Sequence, residues 1–472
     1  MVPNVLAQRY ASREMVALWS PENKVVLERR LWIAVMRAQA ELGVEVPDGA
    51  IAASEAVVER VDLASIEARE RVTRHDVKAR IEEFAALAGH EHAHKGMTSR
   101  DVTENVEQLQ VRDGLRLVRS RLVTALVRLA DRAAEHEGTA LTGRSHNVAA
   151  QVTTLGKRFA NAGEELLQAL HRIDDLLARY PLRGLKGPVG TSQDQLDLLG
   201  GDADRLDRLE AAIAAELGFG ARLTNVGQVY PRSLDLDVVA ALLQSAAGAS
   251  SLCTTLRLMA GAELASEGFA PGQVGSSAMP HKMNARSCER VTGLTQVLRG
   301  HLAMVAGLAG DLWNEGDVSD SQVRRVALPD AFYTVDGIFQ TFLTVLDGFT
   351  AFPAVISAEL RRELPFLTTT RVLIAAVQAG VGREVAHEVI KEHAVAAALA
   401  RRDGFGDGAD LTGRLALDDR LPLDAERLEA LLGDPLAVVG DAPRQVSAFF
   451  ASVAAIAAAD PAAASYAPEP IL

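Results

Sequence analysis

The feature that most limits the fold is one very long run of helically spaced apolar residues. Between residues 101 and 135, apolar side chains recur three or four positions apart, with one gap of six: Val102, Val106, Leu109, Leu115, Val118, Leu122, Leu126, Leu129 and Ala133. Thr98 and Asp101, just before it, have the spacing of a capping box, which marks a helix start. Because helices beyond about 25 residues are typical of extended assemblies, the run predicts a long-helix bundle.

Other segments repeat this pattern. Helical spacing predicts further helices over residues 23–43, 151–180, 232–266, 288–312 and 328–349. Ser20, Pro21 and Glu22 precede the first of them as an N-cap, a first-turn proline and a first-turn acid. No stretch shows sustained alternation bounded by turn residues, so strands are expected to be scarce and the fold class to be all-α.

The chain is too long for one ordinary core, since it has 472 residues. The helical pattern breaks at residues 351–369, and a turn-rich segment follows the next helices. We therefore expect three helical domains. They are an N-terminal domain over 1–98, a central long-helix domain over 99–367 that contains an irregular loop at 268–288, and a C-terminal domain over 368–472.

Composition excludes several classes of protein. The net charge is −13, and no long basic run offers a surface for nucleic acid. The N-terminus lacks the pattern of a signal peptide, and two cysteines, Cys253 and Cys288, form no disulfide framework, so a cytoplasmic location is expected. Residues 238–256 carry no charge but contain several serines and threonines, which favours a buried bundle helix over a membrane span.

The segment HEHAH, residues 90–94, raises the possibility of zinc. It matches H-E-x-x-H, in which two histidines on one helix face hold zinc and the glutamate is a base. Gly89 and Gly96 bracket it, however, and no third ligand follows. A connecting loop in which one histidine is functional is the favoured interpretation, and no metal is predicted.

The segment GSSAMPHKMN, residues 275–284, concentrates polar groups on an irregular loop rich in glycine and proline. Long loops of this kind are commonly functional. Hydroxyls and a lysine suit proton removal from carbon with stabilisation of the anion, while a histidine elsewhere could protonate a leaving group. Acyl transfer by an activated serine is the rival chemistry, but the chain has no G-x-S-x-G elbow.

These residues resemble a known set. GSSAMPHKMN is similar to the signature loop of the fumarase/aspartase superfamily, and GMTSRDVTEN (96–105) and GRSHNVAAQVTTLGKR (143–158) resemble its two other motifs. Five further segments are similar to the adenylosuccinate lyase family: RYASREM (9–15), TRHDV (73–77), the pair His281–Lys282, DSQVRRVALPDA (320–331) and GVGREVAHEVI (380–390).

The resemblance implies a three-domain all-α fold whose central helices form one bundle in a homotetramer, with each active site built from three subunits. It also implies the elimination of fumarate from adenylosuccinate, giving AMP, and from the succinylocarboxamide ribotide of purine synthesis. Small-molecule nucleotides are then the substrates, and neither a metal nor an organic cofactor is needed.

The resemblance also assigns catalytic roles. Ser277 corresponds to the general base that removes a proton beside a carboxylate, and His146 to the general acid that protonates the departing nitrogen. Lys282 and Asn284 correspond to residues that stabilise the resulting dianion. Glu289 corresponds to the residue that orients the histidine.

Substrate contacts follow in the same way. The resemblance places His75 and His94 on the phosphate and ribose side and the Thr98–Ser99 pair on the carboxylates. The full set of implied substrate-binding residues is Arg9, Tyr10, Arg74, His75, Asp76, His94, Thr98, Ser99, Thr153, Thr154, Gln228, Ser276, Met279, Ser321 and Arg325.

Three positions depart from the family pattern. Ala285 and Val152 stand where proline is common, and Gly316 stands where many adenylosuccinate lyases carry an arginine that contacts substrate. Arg325 or Arg324 is expected to take over that role. Alternatives for the whole chain are another lyase of the superfamily, such as an argininosuccinate lyase, an inactive helical scaffold, or the zinc hydrolase suggested by HEHAH.

Overall fold

The structure is a computed structural model that describes residues 4–269, 272, 278–279, 281–405 and 410–469. Its first part is made of mostly short helices around the 21-residue α3: α1 Val5–Arg9, α2 Arg13–Leu18, α3 Pro21–Glu41, α4 Ala50–Glu55, α5 Leu63–Thr73 and α6 Asp76–Ala88. Ser20 caps α3 as expected, since its hydroxyl accepts a hydrogen bond from Asn23 N at 3.1 Å.

Long helices dominate the middle of the chain, as predicted. Its elements are α7 Ser99–Glu135, β1 Ala140–Ser145, β2 Val148–Thr154, α8 Leu155–Arg179, α9 Gln193–Leu198, α10 Ala203–Glu216, α11 Ser233–Gly261, β3 Ala265–Ser266, α12 Arg286–Ala306, α13 Asp320–Gly348, β4 Thr350–Ala351 and α14 Pro353–Leu367. The predicted all-α class is confirmed.

The tail returns to shorter helices. They are α15 Thr369–Gln378, α16 Arg383–Arg402, α17 Leu411–Ala416, α18 Ala425–Leu432, a 3₁₀ turn over Pro435–Val438, α19 Ala442–Ala459 and α20 Pro461–Ala464. Helices α15 to α18 enclose a small hydrophobic core of their own. Helix α19 instead packs on α7 and α8, where the ring of Phe449 lies against Gly163.

The 37-residue helix α7 is the axis of the molecule. Its start has the predicted capping box, because the carboxylate of Asp101 accepts a hydrogen bond from Thr98 N at 2.8 Å. The apolar stripe of α7 is fully buried against α8 and α13. At 1.5 Å per residue the helix is about 55 Å long.

Helices α7 and α13 run side by side in the same direction. Arg100, at the start of α7, donates to the hydroxyl of Ser321 at the start of α13. Arg132, near the end of α7, donates to the carbonyl oxygens of Leu346 and Asp347 near the end of α13. The bundle thus has two ends, which we call the Ser99 end, where α7 begins, and the His146 end, which lies beyond its last turn.

A β-hairpin at the His146 end departs from the sequence prediction. The segment that begins at residue 151 was expected to be helical from its start, but β1 and β2 pair in antiparallel fashion and α8 begins at Leu155. His146 and Asn147 form the turn with φ of 53° and 60°, the left-handed values that a tight hairpin turn requires. The strands lack apolar alternation because several of their residues face solvent.

Among the described residues, two helices have the length and composition to cross a membrane, namely Ser233–Gly261 and Ala442–Ala459. The first is α11, which contains the uncharged segment 238–256. Its apolar window is 56% buried inside the protein, as is typical of a core helix.

Candidate active site

Five of the predicted site residues meet at the Ser99 end. His75 is the N-cap of α6, where its Nδ1 accepts a hydrogen bond from Lys78 N at 3.2 Å. This leaves Nε2 facing the hydroxyl of Ser99, 3.3 Å away. Thr98 precedes Ser99 in the capping box of α7. The two remaining members, His94 and Ser321, reach the same place from the preceding loop and from α13.

His94 lies in the connecting loop that was predicted for HEHAH. Its backbone is left-handed, with φ of 72°, and its Nδ1 accepts a hydrogen bond from Trp32 Nε1 at 3.3 Å. Burial lowers the pKa of His94 to about 4. The imidazole is therefore neutral at pH 7, and Nε2 carries the proton. His94 can donate a hydrogen bond to a substrate oxygen but supplies no full charge.

Gln228 joins this group through the backbone. Its N–H donates to the carbonyl oxygen of Glu315 at 2.6 Å, which packs the segment around Gly316 against residues 227–229. The segment continues to Asp317, whose carbonyl oxygen accepts a hydrogen bond from Arg100 at 3.3 Å. Gln228 and Ser321 thus lie on either side of one short loop.

A buried ionic network supports the Ser99 end. Glu104 accepts hydrogen bonds from both Nη atoms of Arg232, at 2.8 and 2.9 Å, and Arg324 pairs with Asp235 and Glu107 at 2.7 Å each. Although burial opposes ionisation, Arg324, Arg232 and Arg100 hold the pKa of Glu104 well below its usual range. The network ties α7, α11 and α13 together.

This network corrects one expectation. Arg324, suggested as a replacement for the arginine missing at Gly316, is 2% exposed and is held by three carboxylates and Tyr230. It is structural. Arg325, the other suggestion, is exposed on α13 and makes no hydrogen bond or ion pair with the described residues.

The hairpin holds a second group at the His146 end. The His146 side chain is exposed and makes no hydrogen bond within the described ranges. Thr153 is half-buried on β2, opposite Leu141. Thr154 is fully buried, and its hydroxyl accepts a hydrogen bond from Lys157 N at 3.0 Å as the N-cap of α8. Of the two threonines, only Thr153 is accessible to a substrate.

The described part of the signature loop forms a third group, at the same end. Lys282, Asn284 and Glu289 line one cavity of about 1100 Å³, together with His281 and Met283. Glu289 is exposed, and its nearest cation is Arg257 at 3.8 Å. It has no contact with His146 within the chain. Ser276 and Ser277, the predicted base and its neighbour, lie outside the described residues.

Glu267 is a residue that the sequence analysis missed. Its carboxylate accepts hydrogen bonds from Ser287 N at 2.8 Å and Cys288 N at 2.9 Å, and it thereby caps α12 directly after the loop. In the sequence, the one sign of a special role for Glu267 is that it directly precedes Gly268, the first glycine of the loop. Because the N-cap residue of α12 is Ala285, which makes no side-chain cap, Glu267 anchors the loop exit.

The remaining predicted contacts are dispersed. Arg9 is exposed at the end of α1, and Tyr10 packs against Gly337 with its ring 5.6 Å from the guanidinium of Arg290. Arg74 is exposed next to His75, and Met279 is exposed on the loop. The carboxylate of Asp76 is engaged by Arg80 at 3.0 Å and by the start of α6.

One chain does not bring these groups together. The Ser99 and His146 ends are separated by the length of α7, about 55 Å. Ser99 and His75 lie at the opposite end of the bundle from His146 and Lys282 of the same chain. The predicted site residues thus form separate groups within one chain.

Comparison with known proteins gives this arrangement a context. A family model described as "Lyase" matches residues 9–300, and one described as "Adenylosuccinate lyase C-terminus" matches residues 365–449. Among solved structures, a 3-carboxy-cis,cis-muconate lactonizing enzyme from Pseudomonas putida has a TM-score of 0.82 at 22% identity, covering 96% of this chain and 99% of its own. A fumarate lyase from Mesorhizobium sp. BNC1 has a TM-score of 0.79 at 22% identity, with coverage of 94% and 99%.

Fold and motifs together thus define a lyase with the fumarate lyase architecture. Curated relatives narrow the class. The adenylosuccinate lyase of Saccharomyces cerevisiae is 36% identical and covers 94% of this chain and 93% of its own length. The enzyme of Schistosoma mansoni is 33% identical with the same coverage, and that of Bacillus subtilis is 30% identical with coverage of 83% and 89%. This chain belongs to the adenylosuccinate lyase family.

Proposed function

We propose that this chain cleaves adenylosuccinate to AMP and fumarate, and the succinylocarboxamide ribotide of purine synthesis to its carboxamide ribotide and fumarate. The observation that carries the proposal is the similarity to adenylosuccinate lyases along almost the entire chain. The polar residues at both ends of the bundle support it, because they supply the chemical groups that the reaction needs.

The chemistry is a β-elimination. Ser277 removes the proton from the carbon beside one carboxylate of the succinyl group, and the electron pair forms the double bond of fumarate as the carbon–nitrogen bond breaks. His146 gives a proton to the departing nitrogen. The exposure of His146 on a tight turn suits this role, since the imidazole can enter a site on another chain.

The loop that carries Lys282 and Asn284 stabilises the anion formed by proton removal. Proton removal puts a second negative charge next to an existing carboxylate, and Lys282 and Asn284 face one cavity from which they can stabilise it. Acid and base catalysis contribute roughly 100- to 10,000-fold each, whereas enzymes commonly accelerate reactions by a millionfold or more. Dianion stabilisation and positioning must supply much of the difference. Neither a metal nor an organic cofactor is part of the proposal.

Substrate binding falls to the Ser99 end. Thr98 and Ser99 bind the carboxylates, and His75 and His94 face the phosphate and ribose, with Ser321 and Arg325 nearby. The neutral state of His94 makes it a hydrogen-bond donor to the ribose or phosphate rather than a counter-ion.

We further propose a cytoplasmic homotetramer in which each site combines the Ser99 end of one chain with the hairpin and the loop of others. The distance of about 55 Å between the two ends supports this assembly. Glu289 would orient His146 across such an interface. The proposal also divides each chain into three domains, over residues 1–98, 99–367 and 368–472. Helix α19 of the third domain packs on the central bundle.

The test is a cleavage assay on the purified full-length chain. Adenylosuccinate should yield AMP and fumarate at equal rates, with and without a chelator. Argininosuccinate should yield no fumarate. Release of fumarate from argininosuccinate alone would instead identify the other lyase. A chelator-sensitive hydrolysis would favour zinc chemistry, and a tetramer without turnover would favour a scaffold.

A further inference from the structure

Arg100 is a charged residue at the Ser99 end to which the motifs assign no role. Its Nη2 donates to the Ser321 hydroxyl at 3.1 Å and to the Asp317 carbonyl oxygen at 3.3 Å, while Nη1 donates to Glu104 at 3.1 Å. Its side chain is 12% exposed, whereas those of Arg232 and Arg324 are 2% exposed. Arg100 is thus the guanidinium of this network that lies nearest to solvent.

Gly316 leaves this part of the proposed site without a side chain. The resemblance implies that many adenylosuccinate lyases carry a substrate-contacting arginine at this position, whereas this chain has a glycine with φ of 136°. A Cβ atom would lie 3.2 Å from Val229 Cγ2 and 3.3 Å from the Cβ of Gln228. The backbone therefore disfavours any side chain at 316, and the charge has to come from another element.

Arg100 lies close enough to Gly316 to supply this positive charge. It contacts Asp317, the residue after Gly316, and Ser321, which belongs to the proposed binding set. Its Nε–H and one hydrogen of Nη1 have no acceptor among the described residues. Glu104 does not neutralise Arg100 completely, because the carboxylate of Glu104 is also bound by Arg232 and Arg324.

We propose that Arg100 binds the phosphate of the nucleotide substrate and thereby replaces the arginine absent at Gly316. This inference rests on the proposed function, since it concerns the same site. It makes Arg100 a substrate-binding residue that acts on affinity for the phosphate and leaves the chemical step unchanged.

A thermodynamic cycle tests the contact. The wild-type chain and Arg100→Gln are assayed on adenylosuccinate, with AMP and adenosine as competitive inhibitors that differ only in the phosphate. The loss of a charge-assisted contact should raise the KM and the inhibition constant of AMP about 10- to 100-fold. The inhibition constant of adenosine and kcat should each change less than about threefold. Arg116→Gln, an exposed arginine on the same helix, is the matched control and should match wild type.

Each outcome decides a separate question. If wild type does not cleave adenylosuccinate, the proposed function fails and takes the inference with it. If wild type is active but Arg100→Gln weakens AMP and adenosine equally, Arg100 is structural and the inference is wrong. If Arg100→Gln does not fold, Arg100→Lys replaces it in the cycle. That variant keeps the charge but loses the planar fork, and should weaken AMP selectively by a smaller factor.

Discussion

At the scale of single residues, His146 and His94 show how differently one fold can use the same side chain. His146 is exposed and unconstrained by the described residues, whereas His94 is mostly buried and hydrogen-bonded to Trp32. The first is suited to proton transfer and the second to a fixed neutral donor. These contrasting environments lead to two predictions.

Replacement of His146 should abolish turnover without affecting stability. We expect His146→Asn to lower kcat at least about 100-fold, since a general acid contributes that much or more. Asparagine is chosen because it tolerates the left-handed backbone at this turn. Steady-state rates and thermal unfolding check the prediction. His171→Asn, at an exposed position on α8, is the control and should keep wild-type activity.

Replacement of His94 should alter the pH dependence of stability. The pKa of His94 is about 4 in the folded chain and about 6.5 in the unfolded chain. Between pH 6.5 and pH 4, the imidazole is therefore protonated in the unfolded chain but stays neutral in the folded chain. The contribution of His94 to the free energy of unfolding is therefore fully present above pH 6.5 and is lost as the pH falls towards 4.

Between pH 8 and pH 5 this loss amounts to about 2 kcal/mol per subunit. His94→Asn should remove that part of the decrease in unfolding free energy, measured with urea at one protein concentration. His387→Asn, exposed on α16, should leave it in place. Identical pH profiles for wild type and His94→Asn would contradict the assigned burial effect.

At the scale of elements, the signature loop depends on how α12 begins. Ala285, the N-cap residue of α12, makes no side-chain cap, and Glu267 accepts hydrogen bonds from the first N–H groups of the helix instead. The carboxylate of Glu267, directly after β3, thus supplies the cap that Ala285 cannot supply. Loop anchoring therefore rests on a tertiary contact.

Removal of that contact should loosen the loop exit. In Glu267→Gln one acceptor oxygen becomes an NH₂ group that faces a backbone N–H, so about 1 kcal/mol of capping energy is lost. We expect the amides of Ser287 and Cys288 to exchange hydrogen several-fold faster, and kcat to fall because Lys282 and Asn284 lose their position. Glu426→Gln, exposed on α18, should change neither. Unchanged exchange in Glu267→Gln would rule out this anchoring role.

At the scale of the whole molecule, the separation of the two ends bears on the proposed assembly. His75 lies beside Ser99 at the start of α7 and His146 lies beyond the end of this helix of about 55 Å, so each proposed site draws them from different copies. A mixed oligomer of two inactive variants should then contain some intact sites.

Mixing His75→Ala with His146→Asn tests this arrangement. After subunit exchange we expect recovery of up to about a quarter of wild-type activity, because a site needs the right variant at each of two positions. The control mixes His146→Asn with the double variant His75→Ala/His146→Asn, which has no intact His146 and should stay inactive. Absence of recovery despite verified exchange would count against shared sites.

The sequence by itself determined the long helices, the cap of α3, the capping box of α7 and the family. These features are local, since helical periodicity and capping depend on residues three or four positions apart. The loop nature of HEHAH followed from its flanking glycines in the same way.

Only the tertiary structure decided the rest. The β-hairpin around His146 has no apolar alternation to reveal it, because several of its residues face solvent. The burial of Arg324 and Thr154 and the contact between Arg100 and Ser321 depend on which helices pack together. Arg100 and Ser321 are 221 positions apart, and no local pattern encodes a contact at that range. The separation of the two ends likewise arises from the rigid length of α7, and it is this length that makes a second chain necessary for the proposed site.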